Sequence, residues 1–108
     1  MANRAMSNHE FHVNATTTGN GTIYNVKDTE SIKLFLNATG TFTVYFEDSY
    51  DGINYFPIQA FNNTLKDLVS TTSDATATYS IDFTGSVYFR VRLSDVSGNF
   101  TCIGRAVY

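Results

Sequence analysis

Apolar residues alternate with polar or aromatic ones along most of this chain. In the segment 86–94, four apolar residues are separated by single residues of another kind: Val87, Phe89, Val91 and Leu93. The segments 31–37, 41–46 and 76–83 repeat this period of two. Successive side chains of a β-strand point to opposite faces, so each segment predicts a strand with one buried and one open face. The pattern therefore excludes a mainly helical protein.

Turn residues separate these segments at intervals of about 8–15 residues, a spacing typical of a sandwich or a small barrel. We predict an all-β fold, an antiparallel β-sandwich of about eight strands with at most one short helical turn. The predicted strands are residues 10–17, 22–27, 31–37, 41–48, 54–61, 76–83, 86–94 and 99–107. The helical turn is expected in the connection 62–75, where Leu65, Leu68 and Val69 have helix-like spacing.

The length of 108 residues suits one compact domain. We predict that residues 1–12 form a polar amino-terminal arm and that residues 13–108 form a single β-sandwich domain. Pro57 is the only proline. Because proline cannot donate a ladder hydrogen bond, it places the strand 54–61 at a sheet edge or at a bulge.

The charge pattern argues against two classes of partner. The formal net charge is -3, and the seven lysines and arginines are scattered along the chain. A nucleic acid or an anionic membrane surface would require a cluster of cations, so neither is an expected partner.

No window approaches the ~20 apolar residues of a membrane span, and residues 1–13 do not resemble a signal peptide. The protein is therefore expected to be made in a cytoplasm. Its single cysteine, Cys102, is predicted to be a small hydrophobic residue buried in the fold.

The candidate chemical motifs do not converge on a reaction. His9 and His12 are three residues apart, so on a regular strand they face opposite sides, and we predict solvated histidines and no metal site. The acidic residues Glu47, Asp48 and Asp51 lie close together in sequence, but the pair Asp51-Gly52 is better explained as a hairpin turn than as a calcium loop. We therefore expect no catalytic residues, no cofactor and no enzymatic activity.

The chain contains five Asn-x-Thr triplets. They begin at Asn14, Asn20, Asn37, Asn62 and Asn99. In a secreted eukaryotic protein they would suggest glycosylation, but without a secretory signal we interpret them as a consequence of composition.

Outward tyrosines and arginines are the remaining distinctive feature. Arg90 and Arg92 share the open face of their strand with Tyr88, and both residue types are enriched in protein interfaces. The alternative is that these side chains only pair with one another across an open sheet face. Tyr45 lies on the open face of the predicted strand 41–48, and further candidates are the aromatic residues beside the predicted turn and three residues of the arm. The candidate partner contacts are therefore Arg4, Met6, His9, Tyr45, Tyr50, Tyr55, Phe56, Tyr88, Arg90 and Arg92.

The segment 44–58 carries the pattern Phe-Glu-x-Ser-x-Asp-Gly-x-x-Tyr-x-Pro-Ile. It is followed by a strand ending in glycine at residues 79–85 and by an arginine-containing strand at residues 88–93. This arrangement, which covers roughly residues 40–107, resembles small virion proteins of tailed bacteriophages. The resemblance implies a non-catalytic β-sandwich module of a capsid or tail.

Three functions are compatible with these features. The first is a capsid decoration or head-accessory protein of the virion that self-associates and binds the major capsid protein. The second is a carbohydrate-binding or receptor-binding module of a tail or head fibre, in which Tyr50, Tyr55 and Phe56 stack on a host glycan. The third is a tail-tube or neck component, which would form rings.

Overall fold

The alternating segments fold as predicted into two antiparallel sheets. The computed structural model describes residues 6–108, in which eleven strands and no helix are present. The strands are β1 (Met6–Ala15), β2 (Tyr24–Asn25), β3 (Ser31–Ala38), β4 (Thr43–Ser49), β5 (Phe56–Pro57), β6 (Ala60–Asn62), β7 (Asp67–Val69), β8 (Thr71–Thr72), β9 (Thr78–Asp82), β10 (Tyr88–Ser94) and β11 (Phe100–Val107).

The larger sheet has the order β1-β11-β3-β9-β6-β7. The smaller sheet has the order β2-β10-β4-β5, and β8 also pairs with β4. Aromatic side chains fill the space between the two sheets: Phe11 meets Phe89 edge to face with ring centroids 5.3 Å apart, and Phe46 lies 5.5 Å from Tyr79. All four are essentially inaccessible to solvent. The predicted β-sandwich is therefore confirmed.

The predicted strand 54–61 is divided between the sheets. Its first part, β5, pairs with β4 and ends the smaller sheet, so Pro57 lies in an edge strand as predicted. Its second part, β6, pairs with β9 in the larger sheet. A chain that crosses between layers cannot continue one ladder, and this crossing is one reason why the structure has more strands than the eight predicted.

The connection 62–75 forms strands, and the expected helical turn is absent from it. Strands β6 and β7 make a hairpin in which the Oδ1 atom of buried Asn62 accepts hydrogen bonds from the backbone N–H groups of Thr64 and Leu65. Lys66 closes the turn with a φ of 63°. The side-chain bonds of Asn62 stabilise a turn that competes with a helix, and Leu65 remains exposed.

The amino-terminal segment differs from the predicted arm. From Met6 onward it forms the ten-residue strand β1, which pairs with β11. A register shift between Glu10 and His12 places Phe11 and His12 side by side in the interior, where the His12 Nε2 atom donates a hydrogen bond of 2.6 Å to the Val91 carbonyl. The prediction of solvated histidines is wrong, because a bulge interrupts the alternation on which it rested.

Two further features concern burial and the membrane. Cys102 is fully buried, as predicted, and this burial raises the pKa of its thiol. Within residues 6–108, no helix is long and apolar enough to cross a membrane.

Candidate interaction site

The outer face of β4 and β10 gathers the predicted tyrosines and arginines. The antiparallel register places Arg90 opposite Glu47 and Arg92 opposite Tyr45. The alternate residues of both strands, such as Phe46 and Val91, are buried in the core. The face also includes one tyrosine at the start of β10 and one just before β5. We call this surface the Tyr/Arg face, and its residues are Tyr45, Glu47, Tyr55, Tyr88, Arg90 and Arg92.

One carboxylate joins the two arginines of the Tyr/Arg face. Arg90 donates from Nε to Glu47 Oε1 at 2.9 Å. Arg92 donates from Nε to the same oxygen at 3.2 Å and from Nη2 to Oε2 at 3.2 Å. The side chains of Glu47 and Arg90 are only 13% and 17% exposed, so solvent screens this pair less than it screens a surface salt bridge.

Each arginine also covers an aromatic ring. The Arg90 guanidinium carbon lies 3.8 Å from the centroid of the Tyr55 ring, and that of Arg92 lies 4.1 Å from the centroid of Tyr45. A guanidinium at this distance is attracted by the ring face. The ring contacts and the shared carboxylate hold both cations in one orientation. The pairing of tyrosine with arginine across an open face, which the sequence left as the alternative to partner contact, is thus present in the structure.

Tyr55 is more enclosed than its position near a turn suggested. Its hydroxyl oxygen is buried and has no hydrogen-bond partner among residues 6–108. Burial raises the pKa of this phenol, although the nearby Arg90 cation opposes the change. Arg90 covers one face of the ring, so Tyr55 cannot offer that face to a sugar.

The loop between β4 and β5 is held by Asp51. Its Oδ1 atom accepts hydrogen bonds from the backbone N–H groups of Asn54 (2.8 Å) and Ile53 (2.9 Å). These bonds lower the pKa of Asp51 to about 2, so the loop keeps them until the pH falls through that value. Gly52 has a φ of 79°. The prediction of a hairpin turn at Asp51-Gly52 is confirmed.

Next to this turn, two exposed aromatic rings lie nearly parallel. The centroids of Tyr50 and Phe56 are 6.4 Å apart with an interplanar angle of 22°. The two residues are 64% and 51% exposed, and the neighbouring Ile53 is 81% exposed. We call Tyr50 and Phe56 the aromatic pair. The pair forms an apolar surface at the two ends of the β4–β5 loop, whose backbone is held by hydrogen bonds.

The remaining predicted contacts lie elsewhere. Met6 and His9 belong to β1 in the larger sheet and are not part of the Tyr/Arg face. Arg4 lies outside the described residues. Glu47 was not among the predicted contacts, although its position on the open side of β4 places it on the same face as Tyr45. Its role depends on which residue of β10 lies opposite.

His9 packs among aromatic groups. Its ring stacks on Tyr24 with centroids 4.3 Å apart. The Thr22 hydroxyl donates to the Glu10 carbonyl, so it accepts the 2.7 Å hydrogen bond from His9 Nε2. Burial lowers the pKa of His9 from its usual 6.5, and the nearby Glu10 carboxylate only partly offsets this effect.

We expect His9 to make the protein less stable in mild acid. Because its pKa is lower in the folded state, the unfolded chain binds the proton first, so its stabilising contribution is complete above about pH 6.5 and declines as the pH falls towards the folded pKa. Urea unfolding at neutral pH and at roughly pH 5.5 should show a smaller loss for His9→Gln than for the unmodified protein. An equal loss in both proteins would contradict this assignment.

A shallow polar cavity of about 100 Å³ lies at one end of the larger sheet. Amide and hydroxyl side chains dominate its lining: Asn14, Asn37, Ala38, Thr39, Asn99 and Thr101. Three of the five Asn-x-Thr triplets therefore meet at one place. These groups can form hydrogen bonds but do not titrate near neutral pH. Among residues 6–108, no group of three or more His, Cys, Asp or Glu side chains could hold a metal ion.

Comparison with models of known protein families assigns the chain to a family. The model of the XepA family matches residues 5–106, which is nearly the whole sequence. The chain belongs to the XepA family. A search of curated proteins gave no match for this member of the family.

Two solved structures resemble this XepA-family chain closely. The SPBc2 prophage-derived protein YomS has a TM-score of 0.95 at 17% sequence identity, over 100% of this chain and 97% of YomS. The PBSX exported protein XepA has a TM-score of 0.93 at 19% identity, over 100% of this chain and 39% of XepA. The chain thus spans less than half of XepA but almost all of YomS. At these identities the comparison establishes the shared fold.

Proposed function

We propose that this XepA-family protein is a non-enzymatic structural protein of a bacteriophage virion that binds another polypeptide through its Tyr/Arg face. In the most specific form of the proposal it is a capsid decoration or head-accessory protein, self-associates, and binds the major capsid protein. The prophage origin of YomS and the resemblance to small virion proteins support a phage context. XepA is described as exported, which is compatible with a role outside the cytoplasm.

The arrangement of the Tyr/Arg face is the observation that carries this proposal. Two arginines are held in place by Glu47 and by two tyrosine rings before any partner arrives. Ordering long side chains in advance lowers the entropy lost on binding. Tyrosine and arginine also dominate the energetics of protein interfaces. A preorganised array of this kind suits protein recognition better than catalysis, which requires groups that converge on a reacting atom.

The proposal is tested by adding purified protein to capsids assembled without it and measuring saturable co-sedimentation. Tyr45→Ala removes the ring beneath Arg92, so we expect capsid affinity to fall about tenfold, a loss typical of a residue important to an interface. Phe35→Ala is the matched control, because Phe35 is an exposed aromatic residue of the larger sheet with Lys33 5.5 Å from its ring centroid. The control should bind like the unmodified protein.

Two results would contradict the proposal. One is the absence of saturable binding to capsids and to every other isolated virion part. The other is equal weakening by Tyr45→Ala and Phe35→Ala. Binding to tail or neck components alone, with ring-shaped oligomers, would replace the capsid role with the third predicted function.

We also propose that the predicted arm, whose candidate contacts are Arg4, Met6 and His9, touches the capsid, and a test of this contact requires a truncation shorter than residues 1–12. Removal of residues 1–12 would delete most of β1 together with the core residue Phe11, so it would test stability as much as binding. Removal of residues 1–5 leaves β1 intact and tests the contribution of Arg4.

The aromatic pair favours a second function, recognition of a host glycan by a fibre or tail module. Parallel exposed rings can stack on the apolar face of a sugar, and both Tyr50 and Phe56 are available. Binding on a glycan array that is lost in both Tyr50→Ala and Phe56→Ala would support this function. Silence across host polysaccharides, or binding that survives both substitutions, would exclude the aromatic pair as the site.

A further inference from the structure

The Tyr/Arg face contains two guanidinium groups for one carboxylate. The carboxyl groups closest to it along the chain have other partners: Asp48 accepts a 2.6 Å hydrogen bond from Ser86, and Asp51 accepts those of its own loop. Glu47 therefore carries the negative charge that pairs with both arginines. The Arg90 side chain is 17% exposed, so the remaining positive charge is partly removed from water. Such a charge is stabilised by an additional anion.

Both arginines also have guanidinium N–H groups that donate no hydrogen bond within residues 6–108. Arg90 uses only Nε towards Glu47, and within residues 6–108 neither of its terminal amino groups donates a hydrogen bond. Arg92 uses Nε and Nη2, which leaves Nη1 without an acceptor in the same part of the chain. A guanidinium presents its terminal donors in a planar fork that matches a carboxylate. The free donors and the unbalanced charge lie on the same side chains.

We propose that Arg90 and Arg92 bind an aspartate or glutamate carboxylate in an acidic segment of the partner polypeptide. This inference rests on the proposed function and names the chemistry of the partner at that face. One carboxylate balances the single excess charge, and Tyr45 and Tyr55 provide apolar surface beside it. A phosphate backbone is a poorer match, since nucleic-acid binding requires a wider field of cations and this chain has a net charge of -3.

A peptide of six glutamates serves as the probe, and a peptide of six glutamines is its uncharged match. Both are titrated into ¹⁵N-labelled full-length protein while the arginine Nε–H signals are recorded. We expect the signals of Arg90 and Arg92 to shift with hexaglutamate only. Salt at roughly 0.5 M should weaken this binding, because it screens charges at the surface.

Arg92→Gln should weaken hexaglutamate binding about tenfold, which corresponds to about 1.4 kcal/mol. Arg92→Lys keeps the charge and should lose less, and it replaces the first variant if Arg92→Gln does not fold. The matched control is Arg105→Gln, since Arg105 is an exposed arginine of β11 in the other sheet. The control should change affinity less than about twofold, as expected for a surface charge outside the site.

Failure of hexaglutamate to bind, equal binding of the two peptides, or equal weakening by Arg92→Gln and Arg105→Gln would overturn the inference. Failure of hexaglutamate to bind, together with self-association that Arg92→Gln abolishes, would overturn the assignment to a separate partner and favour a second copy of this chain. Different results would contradict the carboxylate site and the proposed function. Capsid binding that is insensitive to Arg92→Gln removes only the carboxylate site, whereas peptide binding without any binding to virion parts removes only the proposed function.

Discussion

Replacement of Gly40 by alanine is expected to lower the free energy of unfolding by about 2–5 kcal/mol. Gly40 has a φ of 78°, and a Cβ atom there would lie 1.9 Å from the carbonyl oxygen of Ser97. The left-handed conformation costs an alanine about 1–2 kcal/mol, and relief of the overlap costs about 1–3 kcal/mol more. Urea or thermal unfolding measures the loss, which should lower the melting temperature by at least roughly 10 °C.

The overlap at Gly40 cannot be relieved cheaply, because the loops 39–42 and 95–99 hold each other. The Ser97 N–H donates to the Thr41 carbonyl at 2.8 Å, and the Thr39 N–H donates to the Asn99 carbonyl at 2.9 Å. Each loop connects one sheet to the other, so a shift of either would strain both layers.

Gly85→Ala is the matched control for the close approach at Gly40. Gly85 has a similar φ of 85°, but a Cβ atom there would meet nothing within 4 Å. We expect it to lose only the conformational part, about 1–2 kcal/mol. Equal losses in the two variants would show that contact between the loops contributes nothing.

Replacement of Glu47 by glutamine is expected to cost about 2–3 kcal/mol of stability. Glutamine keeps the shape of the side chain but removes the charge that Arg90 and Arg92 share. Removing one member of a buried pair costs about 3–5 kcal/mol, and we lower this figure because Arg92 is 37% exposed and partly screened by solvent. Chemical denaturation near neutral pH measures the change, and added salt should reduce it.

Glu10→Gln is the matched control, because Glu10 is an exposed residue of β1. Its removal should change stability by no more than about 0.5 kcal/mol. If Glu47→Gln were equally mild, the two arginines would not depend on the shared carboxylate, and the Tyr/Arg face would not be preorganised by it.

Much of the fold follows from local alternation. Residues such as Val91 and Phe46 repeat every second position, and this period is enough to predict strands, to assign their buried faces and to indicate a two-sheet protein. The same rule fails at His12, where one extra residue forms a bulge. Helix-like spacing misleads at residues 62–75, where side-chain hydrogen bonds of Asn62 hold a turn in place of the expected helical one. Both exceptions depend on contacts that a period cannot express.

The candidate site was predictable in part for the same reason. Alternation places Tyr45, Arg90 and Arg92 on open faces, and the structure brings them together. Alternation does not reveal that Glu47 lies opposite Arg90, because the register between two strands separated by about 40 residues depends on the whole sheet. Nor does alternation show that Arg90 covers Tyr55, which lies outside the strands, just before β5.

The order of residues along the chain was enough to establish the class of fold, the inward and outward sides of its main strands and the residue types available on the outside. Those properties are local, since they depend only on how a pleated backbone orients neighbouring side chains. Which outward groups meet depends on the packing of the whole chain, as the shared carboxylate of Glu47 and the contact between the loops of Gly40 and Gly98 show. Such contacts join residues far apart in the chain, and their geometry arises when two complete sheets pack against each other.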